Sequence, residues 1–241
     1  MKLDATPQSM SSQERNLLSL SLDRETLFSN HKNVYNKRVE KRQRNLLKKI
    51  RFIKNFLKDG EKILLVTTGC SPVSILEQLV TGWIFIYLKR CMFIFTDKRI
   101  FHIPTSMSYS YRDSIAQILY TDCKLIRMKG RTLVIEYKNG KKEKFHSVAR
   151  RERKKIRTLL ETISLEGSPS KATGRVHICP RCTHELEEEK YTCPNCHLEF
   201  KNKAEGRRIS LIYPGGGYFY TRHPFLGVGD AITETVLLVL A

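Results

Sequence analysis

Acidic side chains are scarce in this sequence of 241 residues. It has 24 Asp and Glu against 43 Lys and Arg, which gives a formal net charge of +19 at neutral pH and a pI near 9.8. Such an excess of cations predicts an anionic partner, such as nucleic acid or an acidic membrane face, and predicts nothing about the fold.

Long apolar runs are also missing from the central region, and the start of the sequence does not lead us to expect a secretory leader. The most apolar stretch of the central region, residues 79–88, is ten residues long and is interrupted by Thr81 and Gly82. A spanning helix needs about 20 residues, so we expect a core strand here. Residues 1–30 are mixed, Ser-rich and polar, without a charged leader followed by an apolar stretch. We therefore expect a cytoplasmic protein.

Catalytic patterns are absent as well. No grouping of nucleophile, base and orienting residue can be recognised, nor a pair of carboxylates in a plausible cleft. The glycines at 215–217 are not followed by the Gly-Lys-Ser/Thr of a nucleotide-binding loop. The sequence therefore predicts a non-enzymatic protein, and no small-molecule substrate is inferred.

Positive charge is concentrated between residues 31 and 58, where eleven Lys and Arg stand against one acid, Glu40. Apolar residues such as Leu46, Ile50 and Ile53 recur there at helical spacing, which predicts a long basic amphipathic helix over residues 31–59. Cations off the apolar stripe are candidates for binding anionic lipid. They are Lys41, Arg42, Arg44, Lys48, Lys49, Arg51 and Lys54.

Two other interpretations of this segment stay open. Its stripe could dock on the next domain while its charges are merely solvated. It could also bind nucleic acid together with residues 150–157, although its phenylalanines lie on the apolar stripe and offer no stacking platform for bases.

Residues 60–163 carry short β-rich runs closed by one helical pattern. The runs predict strands at 62–68, 82–88, 92–96, 99–103, 115–122, 124–129, 132–137 and 144–148. Asn139-Gly140 predicts a hairpin turn between the last two strands. Residues 150–163 predict a closing helix. The fold class is therefore α+β, an antiparallel barrel or sandwich capped by a C-terminal helix.

Residues 93–103 (FIFTDKRIFHI) and 111–118 (YRDSIAQI) resemble a hairpin and the following element of bacterial pleckstrin-homology and GRAM-like families. The resemblance spans about residues 60–163 and implies a PH-like barrel, a scaffold that binds lipids or peptides. Asp97 is expected to accept turn amides, and Arg99 to pair with Asp97 or a barrel-edge carbonyl. The loop at 67–74 is neutral and lacks the basic signature of phosphoinositide binding.

Residues 164–175 are rich in Ser, Gly and Pro and predict a linker. Two C-P-x-C pairs follow in a C-x₂-C-x₁₀-C-x₂-C arrangement, similar to short bacterial zinc ribbons. The spacing predicts a ribbon over residues 176–200 that holds structural Zn²⁺, with disulfides or a redox pair as the alternative. Its ligands are Cys179, Cys182, Cys193 and Cys196.

Three histidines near the cysteines are expected to be solvated or to lie beyond the ligands: His177, His184 and His197. Four acids between the two pairs would repel phosphate: Glu185, Glu187, Glu188 and Glu189. Three further cysteines, Cys70, Cys91 and Cys123, are expected to be buried small hydrophobes without a bridge.

The tail, residues 201–241, combines glycines, aromatics and apolar residues. Its run from 216 to 220 resembles the glycine-aromatic entrance of a small bacterial membrane module. The resemblance implies a membrane-proximal tail, with cations on the cytoplasmic side and aromatics at headgroup level. These candidates are Arg207, Arg208, Tyr218, Phe219 and Tyr220.

An apolar helix is expected from about Ala231, and its 11 residues are too few to cross a bilayer. The tail is therefore a truncated membrane span, an interfacial or partner-bound segment, or a soluble tail packed on the barrel.

These patterns together predict a membrane-associated adaptor at the inner face of the cell membrane that binds anionic lipid or a protein. A zinc-dependent nucleic-acid-binding protein is the alternative. The expected organisation is a flexible segment at 1–30, a basic helix at 31–59, the PH/GRAM-like domain at 60–163, a linker at 164–175, the ribbon at 176–200 and a membrane-proximal tail at 201–241.

Overall fold

A computed structural model of the chain describes residues 20–74, 79, 85–170, 174–187 and 190–240. The chain divides into two compact units, the first ending at Glu185 and the second beginning at Leu186. Antiparallel sheets and several helices make the class α+β, as predicted.

The described strands form a larger and a smaller sheet. The larger sheet has the strand order β1-β2-β3-β4-β8-β9, and the smaller has the order β5-β6-β7. The strands of the larger sheet are β1 (Ile63–Cys70), β2 (Arg90–Thr96), β3 (Arg99–Pro104), β4 (Ile115–Leu119), β8 (Val176–Ile178) and β9 (Glu185–Leu186). Those of the smaller sheet are β5 (Cys123–Lys129), β6 (Thr132–Tyr137) and β7 (Lys142–Phe145).

An isolated antiparallel bridge joins the two sheets. The amide of Cys70 donates to the carbonyl of His146 (2.8 Å), and the amide of His146 donates back to the carbonyl of Cys70 (3.0 Å). The described strands form no closed barrel, so the barrel in the predicted fold is not confirmed.

Strand β2 is covered on both faces, which explains its apolar run. Phe93 and Phe95 belong to a core shared with the smaller sheet and the closing helix. Met92 and Ile94 belong to a second core, shared with the N-terminal helices. Because successive strand residues point to opposite faces, a strand buried on both sides needs apolar residues at consecutive positions.

Helices of the first unit flank these sheets. They are α1 (Arg24–Phe28), α2 (Lys37–Leu47), a 3₁₀ helix (Arg51–Phe56), α3 (Phe85–Leu88), a 3₁₀ turn (Tyr120–Asp122) and the closing helix α4 (Arg153–Thr162). The closing helix lies within the predicted range, and its Ile156 and Leu159 enter the first core.

The prediction of one long basic helix over residues 31–59 is wrong. Helix α2 begins after Asn36, whose side chain accepts the amides of Arg38 (3.0 Å) and Val39 (3.2 Å), and it ends at Leu47. From its last residue onwards, buried residues recur at every third position: Leu47, Ile50, Ile53 and Phe56. A spacing of three aligns side chains in a 3₁₀ helix, which has three residues per turn, and drifts off one face of an α-helix.

The predicted strand at 82–88 is also wrong where the structure describes it. Residues 85–88 form α3, and 82–84 lie outside the described residues. The amide of Ser71 donates to the carbonyl of Lys89 (2.8 Å), next to the Cys70–Arg90 pair that ends the β1–β2 ladder. The described residues between these points, 72–74, 79 and 85–88, lie outside the ladder.

Two further strand predictions need shorter or shifted bounds. The strand expected at 115–122 ends at Leu119, because the chain turns into a 3₁₀ segment, and the one expected at 144–148 is β7, Lys142–Phe145.

The second unit contains three tail helices: α5 (Lys203–Ile212), α6 (Gly216–Tyr220) and α7 (Pro224–Leu240). Helix α7 has 17 residues, so its expected start at Ala231 is wrong by two turns. Proline in the first turn needs no amide partner, which allows the helix to begin at Pro224.

Glycine is required where these tail helices approach each other. Gly215 has a φ of 68°, and a Cβ there would clash with the carbonyl oxygen of Gly227. A Cβ at Gly227 would lie 3.0 Å from the ring of Phe219. The glycine-aromatic run thus permits close packing of short helices.

Candidate metal centre and exposed binding residues

The first cysteine pair lies in a tight hydrogen-bonded turn. The amide of Cys179 donates to the carbonyl of His184 (2.8 Å), and the amide of Thr183 donates to the carbonyl of Cys179 (3.0 Å). Thr183, the residue after Cys182, has a φ of 61°. This left-handed residue closes the turn and leaves both cysteines on one side of it.

The second pair repeats the same pattern. The amide of Cys193 donates to the carbonyl of Leu198 (2.9 Å), and the amide of His197 donates to the carbonyl of Cys193 (3.0 Å). His197, which follows Cys196, has a φ of 55°. The two pairs therefore lie in turns with equivalent hydrogen bonds and a left-handed residue at the same position. Their sequences share only the cysteines and prolines.

The four Sγ atoms, those of Cys179, Cys182, Cys193 and Cys196, all lie within 4.8 Å of one another. Tetrahedral thiolate coordination at about 2.3 Å places sulfur atoms about 3.8 Å apart, so these side chains fit a four-thiolate metal ion. Such an ion would tie the two turns together and leave no open position for a water ligand.

None of the neighbouring histidines and acids that the structure describes belongs to this group of four cysteines. His177, His184 and His197 are exposed. The carboxylate of Glu185 accepts a hydrogen bond from the side-chain amide of Gln117 (2.5 Å), and Glu187 forms a salt bridge with Lys190 (2.6 Å). Glu188 and Glu189 lie outside the described residues.

Three of the cations proposed for an anionic surface make contacts within the protein. The Nε of Arg42 donates to Glu152 (2.5 Å). Arg44 pairs with Glu40 (2.7 Å), and Lys49 donates to the carbonyl of Ser108 (2.5 Å). Arg42 and Lys49 thus help to hold α2 and the following turn on the fold, whereas the Arg44–Glu40 pair lies within α2.

The other four cations, Lys41, Lys48, Arg51 and Lys54, are exposed and form no salt bridge within the described part of the chain. The aromatic residues of the same segment pack inwards. Phe52 stacks on Tyr111 with ring centroids 3.9 Å apart, and Phe56 is buried. The exposed surface of this segment is therefore cationic and not aromatic.

The tail residues divide between internal packing and exposure. Arg207, Arg208 and Phe219 are exposed, whereas Tyr218 is half-buried. The hydroxyl of Tyr220 accepts the amide of Asn202 (2.9 Å) and donates to Glu205 (3.2 Å). Tyr220 therefore stabilises the start of α5.

Large apolar side chains of α7 are exposed. Phe225 is 93% exposed, and residues 236–240 are each at least half exposed. Among the helices that the structure describes, none is both long and apolar enough to qualify as a candidate membrane span.

The three isolated cysteines, Cys70, Cys91 and Cys123, are buried and form no disulfide, as predicted. Burial raises the pKa of the Cys91 thiol far above its ordinary value, and burial followed by nearby acids raises that of Cys123 to about 12. Both thiols stay neutral and unreactive at neutral pH.

A buried histidine cluster was missed from the sequence. His102 Nε2 lies 2.8 Å from the hydroxyl of Ser71, and its Nδ1 lies 3.1 Å from Arg175, which also pairs with Glu143 (3.0 Å). A guanidinium can only donate, so Nδ1 accepts, and the ring proton on Nε2 points at Ser71. The ring therefore cannot act as a base towards Ser71. The signal was a histidine within the apolar strand β3.

Arg99 differs from its expected pairing. Its guanidinium binds the carboxylate of Glu61 and the carbonyl of Phe56 (2.8 Å), and it also contacts Gln117. Asp97 accepts the amide of Lys62 (2.9 Å), the residue that precedes β1. The acid partner was missed because it lies 38 residues away in sequence.

Comparison with known proteins gave no matching family model, no matching curated protein and no matching solved structure.

Proposed function

We propose that this chain is a non-enzymatic adaptor that holds a Zn²⁺-stapled ribbon and a PH/GRAM-like scaffold at an anionic membrane surface on the cytoplasmic face. The exposed apolar side chains of α7 carry this proposal. Each apolar side chain left in water forgoes roughly 1.5–3 kcal/mol of burial, so a helix with several of them favours an apolar environment.

The length of α7 favours an interfacial position. Its 17 residues would extend about 25 Å, short of the roughly 30 Å hydrocarbon core. An amphipathic or apolar helix of this kind lies in the plane of the headgroups, and cations near it strengthen binding to anionic lipid. Arg207 and Arg208 supply such cations within the same unit.

The exposed cations of the basic segment support the same partner. Lys41, Lys48, Arg51 and Lys54 would each contribute about 1 kcal/mol beside an anionic membrane. Nucleic acid is less favoured, because Phe52 and Phe56 pack inwards and leave no ring for base stacking.

Two features support the scaffold and the metal in this proposal. The seven described antiparallel strands that precede α4, followed by that helix, resemble the element order of the PH/GRAM-like families. Four cysteine sulfurs without another ligand type are the donor set of structural zinc. The protein would then bind its ligand without catalysing a reaction.

Vesicle flotation tests this function. We expect the full chain to float with vesicles containing phosphatidylglycerol and to remain unbound with phosphatidylcholine alone. Deleting residues 207–241 should abolish flotation, and Lys41/Lys48/Lys54→Gln should weaken it about tenfold or more. Lys62/Lys124/Lys141→Gln removes the same charge from other exposed positions and should have little effect.

Competition separates the two anionic partners. An excess of duplex or single-stranded oligonucleotide should leave vesicle binding largely intact. Flotation that is lost to oligonucleotide, or that shows no preference for anionic lipid, would contradict the proposal.

A further inference from the structure

Four arginines, Arg131, Arg150, Arg153 and Arg157, lie near one another where the β5–β6 turn approaches the start of the closing helix. The backbone of Val148 forms hydrogen bonds with both Arg131 and Arg153. The amide of Val148 donates to the carbonyl of Arg131 (3.0 Å), and its carbonyl accepts the Nε of Arg153 (2.8 Å). This pairing fixes the direction of the Arg153 side chain beside the β5–β6 turn.

The other two arginines flank Arg153 on its own chain segment. Arg150 precedes it by three residues, in a turn closed by the amide of Glu152 and the carbonyl of Ala149 (3.0 Å). Arg157 follows it by four residues on α4, a spacing that places side chains on the same helix face. Desolvation, and then repulsion from Arg131, Arg150 and Arg157, lower the pKa of the Arg153 guanidinium.

The described residues provide no carboxylate for this cluster. None of the four arginines forms a salt bridge within the described part of the chain. Glu152 lies between them in sequence, but its buried carboxylate faces Arg42 (2.5 Å) and Gln43 (3.5 Å). Glu161 follows Arg157 by one turn and is not paired with it. The cluster therefore keeps its repulsion uncompensated.

The position of Arg153 at the start of a helix is also unfavourable for its positive charge. Arg153 is the first residue of α4, and the start of a helix carries a partial positive charge from its free amides. Cations placed there are unfavourable, whereas an anion would be stabilised by the same amides and by the guanidinium groups. Arg131, Arg150 and Arg157 are all exposed, so an external anion can reach them.

We propose that Arg131, Arg150, Arg153 and Arg157 form a binding site for a phosphomonoester dianion. Guanidinium groups pair with phosphate oxygens through two parallel hydrogen bonds, and a monoester offers three such oxygens and two charges. A soluble phosphomonoester and a phosphatidic acid headgroup share this chemistry. The site uses none of the exposed cations and apolar side chains on which membrane binding rests in the adaptor proposal, so it stands even if the chain binds no membrane.

Titration of the full chain with glycerol 3-phosphate, followed by calorimetry at constant ionic strength, tests the site. We expect saturable binding at one site per chain. Arg150→Gln and Arg157→Gln should each weaken it about tenfold, equivalent to about 1.4 kcal/mol. Lys41→Gln and Lys48→Gln remove the same charge elsewhere and should change the affinity less than about twofold.

A conservative variant separates a phosphate site from a general positive field. Arg157→Lys keeps the charge but loses the planar pair of donors, so it should weaken binding nearly as much as Arg157→Gln. Circular dichroism of each variant checks that it folds. Equal affinities for Arg157→Lys and the unaltered chain would reduce the cluster to non-specific attraction and overturn the proposal.

Vesicles identify the source of the phosphate group. Binding to phosphatidic acid above phosphatidylserine at equal surface charge, with loss on adding glycerol 3-phosphate, would assign the site to a headgroup. Binding of glycerol 3-phosphate without that lipid preference would assign it to a soluble ligand. Absence of both, or equal displacement by an oligonucleotide at the same phosphate concentration, would refute the site.

Discussion

The carboxylate of Glu61 and the guanidinium of Arg99 form a doubly hydrogen-bonded pair in the interior of the first unit. Arg99 Nη2 lies 2.8 Å from Glu61 Oε2, and Nε lies 3.0 Å from Oε1. Their side chains are 4% and 0% exposed. The hydroxyl of Thr96 also donates to Glu61 (2.7 Å), so the hairpin between β2 and β3 is tied to the start of β1.

Removing the guanidinium from this pair should destabilise the first unit strongly. Arg99→Met leaves a buried carboxylate without its cation, for which we expect a loss of about 3–5 kcal/mol in the free energy of unfolding. Urea unfolding followed by circular dichroism measures it. Lys142→Met breaks the exposed pair with Glu136 (3.1 Å) and should cost less than about 1 kcal/mol. Similar losses for the two variants would contradict a structural role for the buried pair.

The same pair should make stability fall at acidic pH. Burial alone raises the pKa of Glu61, but hydrogen bonds from Arg99, the amide of Lys58 and Thr96 outweigh it, so the pKa is lowered below its ordinary 4.5. A carboxylate whose folded pKa is depressed stabilises the fold above the unfolded pKa and loses that contribution as pH falls through the folded pKa.

The comparison variant for this pH effect is Glu61→Gln. Its deficit in unfolding free energy against the unaltered protein should be constant between pH 5 and 7 and should shrink as the pH falls below about 4.5. Any acid loss of a bound metal affects both proteins and cancels in the difference. A deficit that stays unchanged down to pH 3, or that grows, would show that the lowered pKa is not retained in solution.

Metal content tests the cysteine cluster directly. We expect one zinc per chain by elemental analysis. Cys193→Ala should lose the metal, since a tetrahedral site with three thiolates binds more weakly, whereas Cys123→Ala removes an equally buried thiol far from the pattern and should retain it. Chelation should raise hydrogen exchange in the turns at 179–184 and 193–198, because binding energy of about 10–16 kcal/mol orders such sites. Metal-free protein with both turns protected would contradict this prediction.

The sequence predicted those features that depend on short-range patterns. The cysteine pairs could be recognised because each turn is formed by neighbouring residues. The backbone amide of Cys179 donates to the carbonyl of His184, and that of Cys193 donates to the carbonyl of Leu198. The closing helix followed from the spacing of Ile156 and Leu159. In each case the residues that determine the structure lie within one or two turns of each other.

Features that depend on distant partners could not be predicted in this way. The period of three at Leu47, Ile50 and Ile53 selects a 3₁₀ helix only because the second core covers that face. In the sequence, Arg42 and Arg44 are cations of the same kind as Lys41. Only the fold shows that Glu152, 110 residues later, lies beside Arg42. The charge pattern alone could not show which cations of the basic segment contact other groups of the fold and which stay exposed.

Lys155 illustrates a long-range contact that suggests one more prediction. It lies on the first turn of α4, yet its ammonium donates to backbone carbonyls of Thr26, Leu27 (3.0 Å) and Ser29 (2.7 Å), about 130 residues earlier in the chain. These carbonyls end helix α1, where they have no partner within the helix. The buried ammonium thus caps α1 and attaches the N-terminal segment to the closing helix.

Replacing this ammonium should release the N-terminal segment. Lys155→Met keeps most of the side-chain volume but removes three donors, and we expect a loss of about 3 kcal/mol in unfolding free energy. Limited trypsin digestion should then cut faster after Arg24 and Lys32, because α1 is no longer held against α4. Lys154→Met changes an exposed neighbour on the same helix and should alter neither result. Unchanged cleavage in Lys155→Met would mean that apolar contacts of Leu27 and Phe28 alone hold the segment in place.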